Sequence, residues 1–175
     1  MEKHHIDMMI DEAAVNMRIK ELGKKISSDY AGKTVYLICI LKGSVYFTCE
    51  LAKRITVPVI MDFMQCSSYG AATKSSGVVK LSKDLDMAIT DKDVIIIEDI
   101  IDSGRTLSHL KKLLAQRNPA SLRICTLLDK PDRRVADVDV DYVGFQIEDK
   151  FVVGYGLDYD QLYRNLPYIG VVEFD

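Results

Sequence analysis

The chain has 175 residues, a formal net charge of −3 and 48% hydrophobic residues. This length and apolar content suit a single domain over residues 1–175 with a sizeable core, and they exclude a disordered chain. The acidic balance gives no electrostatic footprint for nucleic acid, so we expect no nucleic-acid partner. No apolar stretch reaches the roughly 18 residues of a membrane span, so we expect no membrane segment.

The four cysteines and the N-terminal residues favour a cytoplasmic protein. The cysteines are scattered without the paired spacing of a zinc site. Cys39 and Cys125 lie in apolar runs, and we expect them to be buried thiols in a reducing compartment. No apolar segment of a signal peptide follows Met1. We expect His4 and His5 to belong to a solvated terminus and not to a metal site.

Helical and strand-like patterns alternate in the first half of the chain. A first helix ends near Gly32, and its apolar face is formed by Val15, Ile19, Leu22 and Ile26. The next predicted elements are a strand over 35–41, a turn over 42–44, a helix over about 45–54 and a strand over 57–64. Residues 65–77 are rich in Ser, Gly and Ala without periodicity, which is typical of a mobile loop or flap. A short strand over 78–81 is predicted to return from this loop.

The second half continues the alternation as far as residue 130. The predicted elements are a strand over 94–97, a helix with Leu107, Leu110, Leu113 and Leu114 inward, strands over 121–128 and 142–147, and a segment over 151–155. Strands that alternate with helices predict an α/β fold, with a central, mainly parallel, twisted sheet flanked by helices. The segment of about 130–175 breaks this rhythm. We expect it to form an appended lobe beside the carboxyl edge of the sheet, not a second domain.

The run from Val94 to Thr106 carries the strongest functional signal. Its first four residues are β-branched, as expected for a parallel strand buried on both faces. Glu98 and Asp99 follow at the carboxyl end, where open α/β sheets bind their ligands. Residues 103–106 can then direct several backbone N–H groups and two hydroxyls at one anion. Two carboxylates beside a phosphate loop predict a sugar phosphate, whose vicinal diol the acids would bind.

The same run resembles the phosphoribosyl-diphosphate (PRPP) binding motif of type I phosphoribosyltransferases. From about Asp7 to its end, the chain is similar to 6-oxopurine phosphoribosyltransferases of the hypoxanthine/guanine kind. The motifs that carry this wider resemblance are Leu41-Lys42-Gly43, residues 67–70, Lys130 and residues 149–158. The resemblance implies the type I phosphoribosyltransferase fold, with a small hood lobe and a flexible flap loop at about 65–78. It implies purine salvage by transfer of 5-phosphoribose from PRPP to N9 of hypoxanthine and guanine.

The resemblance also assigns the PRPP-binding residues. The ribose and its 5′-phosphate would be held by Glu98, Asp99, Asp102, Ser103, Gly104, Arg105 and Thr106. Many relatives carry Lys at position 105, and either cation can meet a phosphate. Lys42, Gly43 and Arg164 would contact the pyrophosphate. The Leu41–Lys42 peptide can be cis in the family, and the sequence leaves both isomers open.

The purine side is assigned in the same way. Lys130 would donate to the exocyclic O6 of the base, and Phe151 would stack on its ring. The main chain of Val152 would meet the 2-substituent of the base. Asp158 would be the fourth residue of the purine-binding set. Ser68 and Tyr69 resemble the flap that closes over the site to exclude water.

Asp102 is the candidate general base that removes a proton from the purine imidazole. An electrostatic role for its charge, without proton transfer, stays open. Mg²⁺ is the implied cofactor, with Asp158, Glu98 and Asp99 as candidate ligands beside substrate oxygens. Family members usually form homodimers or homotetramers, so a homo-oligomer is implied.

Three other functions fit parts of the sequence. A xanthine-preferring transferase fits the same residues. An RNA-binding regulator of the pyrimidine-operon attenuator type shares the fold and PRPP binding but needs a basic surface, whereas this chain is acidic and carries the Lys130 and Phe151 pair. A signalling receiver domain has a pocket similar to residues 95–99. This acidic pair, however, lies in the middle of the chain and leads directly into a phosphate loop.

Overall fold

The computed structural model describes residues 3–68 and 79–174, which form two sheets and three α-helices. The strands are β1 (His4–Ile10), β2 (Val35–Leu41), β3 (Val59–Ser68), β4 (Val79–Lys83), β5 (Asp93–Ile101), β6 (Ser121–Asp129), β7 (Tyr142–Gln146), β8 (Val152–Val153) and β9 (Ile169–Phe174). The helices are α1 (Glu12–Asp29), α2 (Val45–Ala52) and α3 (Arg105–Ala115), with a 3-10 helix at Pro131–Arg133.

The larger sheet has the strand order β4-β3-β2-β5-β6-β7. Its strands pair in parallel except for β4, which lies antiparallel to β3 at one edge. The central strands are continuous apolar runs because helices cover both faces of the sheet. Helices α1 and α2 pack with one core cluster, and α3 packs with the other. The predicted α/β fold with a mainly parallel sheet is confirmed.

Helix α1 forms where the apolar spacing predicts it. The carboxylate of Asp11 caps its first turn by accepting a hydrogen bond of 2.7 Å from the backbone N–H of Ala14. The predicted apolar face is buried, and it consists of Val15, Ile19, Leu22 and Ile26. Gly32 follows the end of the helix with φ of +77°, a conformation that glycine adopts without strain.

The smaller sheet has the order β1-β9-β8, and it forms the lobe expected near the end of the chain. Both pairings are antiparallel, so the N-terminal strand β1 is part of this lobe. The prediction of a solvated terminus is confirmed for His5, which is exposed, and is wrong for His4. Nε2 of His4 lies 2.9 Å from the hydroxyl of Tyr163, and the imidazole packs edge-on against Tyr159.

Several predicted boundaries shift. The helix predicted over 45–54 ends at Ala52, and the strand predicted over 57–64 is β3, which continues to Ser68. An irregular conformation at 65–68 is therefore a wrong prediction. This extension forms because β3 gains an antiparallel neighbour, β4, beyond the parallel part of the sheet. The rest of the predicted flap, including Tyr69, lies outside the described residues, as does the side chain of Ser68.

The four cysteines are free thiols. Cys39 and Cys125 are buried, as predicted. Burial raises the pKa of the Cys66 thiol to about 11, so this thiol is protonated at neutral pH. Within 3–68 and 79–174, every helix is too short or too polar to cross a lipid bilayer.

Candidate active site

The candidate site lies where the carboxyl ends of β2, β5 and β6 meet. Lys42 and Gly43 follow β2 directly, and Glu98 and Asp99 lie near the end of β5. Lys130 follows β6, the next strand across the sheet. Parallel strands place their carboxyl ends at one edge of the sheet, so three separate segments of the chain converge there.

The loop between β5 and α3 has the geometry of an anion site. Helix α3 begins at Arg105, and its N-cap is Gly104 with φ of +77° and no capping side chain. The backbone N–H of Arg105 donates to Oγ of Ser103 over 3.4 Å, and the N–H groups that follow it in the first turn have no preceding helical turn to bond. A methyl group at Gly104 would lie 2.8 Å from Cδ of Arg134, so the packing around the loop also requires glycine. A cavity of about 190 Å³ opens here, lined by Glu98, Ile100, Ile101, Asp102, Ser103, Gly104, Thr106 and Leu107.

Glu98 and Asp99 are adjacent carboxyl residues near the carboxyl end of β5. Burial raises the pKa of Glu98 well above its usual range, and the negative charge of Asp99 raises it further. Burial also raises the pKa of Asp99, against the opposing influence of hydrogen bonds to its carboxylate. Two carboxylates in such a place favour a ligand that donates hydrogen bonds or carries positive charge.

Glu98→Gln is expected to raise the melting temperature of the ligand-free protein at pH 7. A carboxyl whose pKa is raised by folding stabilises the fold below its unfolded value, here near 4.5, and this contribution is lost as the pH rises through the folded value. At pH 7 the Glu98 carboxyl therefore lowers the free energy of unfolding, and glutamine removes that effect. Each kcal/mol corresponds to roughly 2–4 °C for a chain of this size.

Thermal unfolding of wild type and Glu98→Gln from pH 4 to pH 8 measures this effect. The stability gain should shrink towards pH 4, where Glu98 is protonated in both states. The exposed Glu148 provides the matched control, because Glu148→Gln should leave the melting temperature unchanged. A lower melting temperature for Glu98→Gln at pH 7 would show that ionised Glu98 stabilises the ligand-free fold.

The predicted pyrophosphate-binding residues come together around Gly43. A methyl group at Gly43 would overlap Oδ2 of Asp99, and one at Gly156 would overlap the carbonyl oxygen of Gly43. Arg164 donates a hydrogen bond of 2.7 Å to the carbonyl oxygen of Gly156. The peptide before this loop, Leu41–Lys42, is cis. The loop after β2 therefore lies between the β5 carboxylates and the Gly156 segment.

Asp158 also joins this group through Arg164. Its Oδ1 lies 2.7 Å from Nη2 of Arg164, and its Oδ2 accepts a hydrogen bond of 2.8 Å from the backbone of Gln161. Asp158 and Arg164 thus form one charged unit beside the loop at Gly43. Among the described residues, no cluster of three or more acidic, His or Cys side chains forms a ready metal cage.

The other predicted purine-binding residues, Lys130, Phe151 and Val152, lie on other segments of the chain. Lys130 is almost fully buried, although most lysines are exposed. Phe151 is 47% exposed, and its ring packs edge-on against Tyr159 with ring centres 5.7 Å apart. Val152 is buried in β8, where it pairs with Val171 of β9. The residue before β8 of the smaller sheet is therefore an aromatic side chain that is about half exposed.

Asp102 has a charged partner that the sequence reasoning missed. Nε of Arg133 lies 3.0 Å from Oδ1 of Asp102, and Nη1 of the same guanidinium lies 3.2 Å from Oδ2 of Asp149. The adjacent Arg134 pairs with Asp129. Two sequence features could have indicated this partner. They are the two arginines at 133 and 134, shortly after Lys130, and Asp149, which begins the 149–158 motif.

The sequence was compared with known protein families and proteins. The family model for a phosphoribosyl transferase domain matches residues 5–160. The chain is 52% identical over 172 residues to the hypoxanthine phosphoribosyltransferase of Salmonella typhimurium, which covers 97% of each chain. It is 51% identical over 174 residues to the hypoxanthine-guanine phosphoribosyltransferase of Bacillus subtilis, with 99% of this chain and 97% of the relative covered.

Solved structures give the same result. The crystal structure of a hypoxanthine-guanine phosphoribosyltransferase from Bacillus anthracis superposes with a TM-score of 0.92 at 45% identity, covering 98% of this chain and 99% of that one. The similarity in sequence and in fold therefore extends over nearly the whole chain. The chain belongs to the phosphoribosyltransferase family, among the hypoxanthine and hypoxanthine-guanine phosphoribosyltransferases.

Proposed function

We propose that this protein transfers the 5-phosphoribosyl group of PRPP to N9 of hypoxanthine and guanine in purine salvage. The products are the purine nucleotide, IMP or GMP, and pyrophosphate. The observation that carries this proposal is the joint arrangement at one sheet edge. A helix start without a capping side chain lies beside a half-buried carboxyl pair, and a buried lysine follows the neighbouring strand.

The sheet edge is proposed to hold PRPP in three parts. The 5′-phosphate would lie on the N–H groups and hydroxyls of residues 103–106, with the charge of Arg105 nearby. The ribose diol would donate hydrogen bonds to the carboxylates of Glu98 and Asp99, which accept few other hydrogen bonds. The pyrophosphate would lie between the loop at Lys42-Gly43 and Arg164. Positive charge there favours the departure of an anion.

The purine is proposed to bind between Lys130 and Phe151. The ammonium group of Lys130 can donate a hydrogen bond to the O6 of an oxopurine, whereas the 6-amino group of adenine offers no acceptor there. The open face of Phe151 can stack on the base. The main chain of Val152 would face the 2-substituent, where hypoxanthine and guanine differ.

The proposed reaction forms one bond and breaks one at the anomeric carbon. The C1′–oxygen bond to pyrophosphate breaks with its electron pair leaving on the pyrophosphate. The N9 lone pair forms the new C1′–N9 bond. The imidazole proton of the purine leaves to Asp102, which acts as general base.

Magnesium is the proposed cofactor. The donor chemistry fits, because Asp158, Glu98 and Asp99 supply the oxygen ligands that this ion prefers. The described residues form no closed cage, which suits an ion that shares its ligands with substrate oxygens and water. When bound, Mg²⁺ would neutralise the negative charge that develops on the pyrophosphate.

We also propose a homodimeric or homotetrameric, cytoplasmic protein. Exposed apolar side chains at Met8 and Tyr46 support self-association, because they line two neighbouring grooves that share Glu12 and Asn16. The free cysteines support a reducing compartment. The mass measured by sedimentation equilibrium would distinguish a dimer from a tetramer.

An ultraviolet assay with PRPP and Mg²⁺ tests the function, with hypoxanthine, guanine, xanthine, adenine and uracil offered separately. We expect nucleotide from hypoxanthine and guanine, and none from adenine or uracil, because Lys130 requires an acceptor at position 6 of a purine. Faster turnover of xanthine than of hypoxanthine would contradict the proposed specificity. No product from any base would contradict the proposed activity itself.

A further inference from the structure

Four charged side chains form a continuous chain from the candidate base to the candidate purine-binding lysine. Asp102 pairs with Arg133, and Arg133 pairs with Asp149. The other oxygen of Asp149, Oδ1, lies 3.6 Å from Nζ of Lys130. We call Asp102, Arg133, Asp149 and Lys130 the ion-pair chain.

The main chain fixes the position of Arg133 relative to Asp102. The backbone N–H of Lys130 donates to the carbonyl oxygen of Ile101 over 2.9 Å, and that of Arg133 donates to the carbonyl oxygen of Lys130 over 3.2 Å. The N–H groups of residues 135 and 136 both donate to the carbonyl oxygen of Ser103 over 3.0 Å. The segment that carries Arg133 is therefore tied on both sides to the loop that carries Asp102.

Stability does not explain this arrangement. The side chains of Arg133, Asp102 and Asp149 are 52%, 43% and 48% exposed, and ion pairs at such positions contribute little to folding. What the guanidinium does fix is the orientation of the Asp102 carboxylate. Oδ1 is engaged by Arg133, while Oδ2 has no hydrogen-bond partner in the part of the chain that the structure describes.

Asp149 has a different task in the ion-pair chain. The side chain of Lys130 is only 9% exposed, and a buried cation needs a nearby counter-charge. Asp149 supplies that charge with one oxygen while it holds Arg133 with the other. The base and the purine-binding lysine therefore share one charged connection.

We propose that Arg133 is a positioning residue of the transfer reaction. It holds Oδ1 of Asp102 so that Oδ2 is the oxygen that accepts the purine proton, and through Asp149 it links this base to Lys130. A base oriented by a third group is the arrangement used by other enzymes that transfer protons during covalent chemistry. The inference rests on the proposed function, because it assigns Arg133 a role in that reaction.

Arg133→Ala is expected to lower kcat by roughly 10- to 100-fold, the loss that a misplaced catalytic group causes. The KM for PRPP should stay within about twofold of wild type, because Arg133 contacts none of the proposed PRPP-binding main chain. Arg133→Lys should retain part of kcat, since a cation remains but the planar fork is lost. Guanidinium ion at non-denaturing concentration should restore part of kcat to Arg133→Ala and leave Arg133→Lys unchanged.

Arg117 supplies the matched control. Its guanidinium pairs with Asp84 at 2.8 Å, at the opposite end of α3 from the phosphate loop. Arg117→Ala should show wild-type kcat with and without guanidinium ion. A double-mutant cycle of Arg133→Ala with Asp149→Asn should be non-additive in kcat/KM for hypoxanthine, because both variants break the same connection.

Two results would overturn the positioning role while leaving the proposed function intact. One is a wild-type enzyme that is active on hypoxanthine with an Arg133→Ala variant within twofold of its kcat. The other is a loss of kcat in Arg133→Ala that guanidinium ion does not restore and that accompanies a lower melting temperature. A wild-type protein without activity on any purine would instead overturn the proposed function, and the role of Arg133 with it.

Discussion

Asp102→Asn is expected to lower the forward kcat by roughly 100-fold or more, the usual contribution of a positioned general base. Asparagine keeps the shape of the side chain, and its carbonyl oxygen can still accept the hydrogen bond from Arg133, but it cannot take the purine proton. Affinity for PRPP should be retained, because the loop over 103–106 is proposed to bind the 5′-phosphate through its main chain. Steady-state kinetics with hypoxanthine and calorimetric titration with PRPP measure the two quantities separately.

The pH dependence of this variant separates the two roles that remain open for Asp102. At alkaline pH the purine loses its imidazole proton to solvent, so the deficit of Asp102→Asn should shrink if the carboxylate acts as a base. A deficit that stays constant would assign it an electrostatic role. Asp132→Asn, an exposed acid in the neighbouring 3-10 helix, is the control and should keep wild-type kcat. A kcat for Asp102→Asn within about threefold of wild type, roughly 0.65 kcal/mol in the barrier, would reject both roles.

Gly43→Ala is expected to abolish measurable transfer and to destabilise the fold. The added methyl group would overlap Oδ2 of Asp99, so the carboxylate or the loop after β2 must shift. Overpacking of this kind costs roughly 1–3 kcal/mol. The loop would be displaced from the site that we propose for pyrophosphate, so activity should fall much further than stability.

The matched control for this variant is Gly32→Ala. No atom lies within 4 Å of a methyl group at Gly32, so this substitution costs only backbone strain at a φ of +77°. It should lower the melting temperature and leave kcat unchanged. In the double variant Gly43→Ala/Asp99→Ala, the overlap is removed, and the melting temperature should recover while activity stays lost. Wild-type kcat/KM for PRPP in Gly43→Ala would show that the loop can move without consequence.

Local sequence patterns predicted the elements that depend on local chemistry. The β-branched run at 94–97 forms the central strand β5, and the apolar spacing from Val15 to Ile26 forms the buried face of α1. The loop over 103–106 was also predicted, because an apolar strand, an acidic pair and small polar residues follow one another without a gap. These features are set by residues that are close in sequence.

The parts that the sequence did not reveal depend on residues far apart. Strand β1 pairs with β9 across almost the whole chain, and neither segment alone has the apolar alternation of a strand. The link from Asp102 to Arg133 was missed for the same reason. Charged residues after a strand are common at surfaces, and only the packing of two loops shows which carboxylate each arginine meets.

The pairing of β1 with β9 sets an order of events during synthesis on the ribosome. The six strands of the larger sheet, up to β7, can pair once residue 146 has been released. Residues 4–10 must wait for residues 169–174, the last described strand to emerge, and closing so long a loop is slow. Until then β1 exposes an unpaired edge, which invites pairing with other chains. We therefore expect the nascent chain to form the loop over 103–106 before it completes the lobe that carries Phe151.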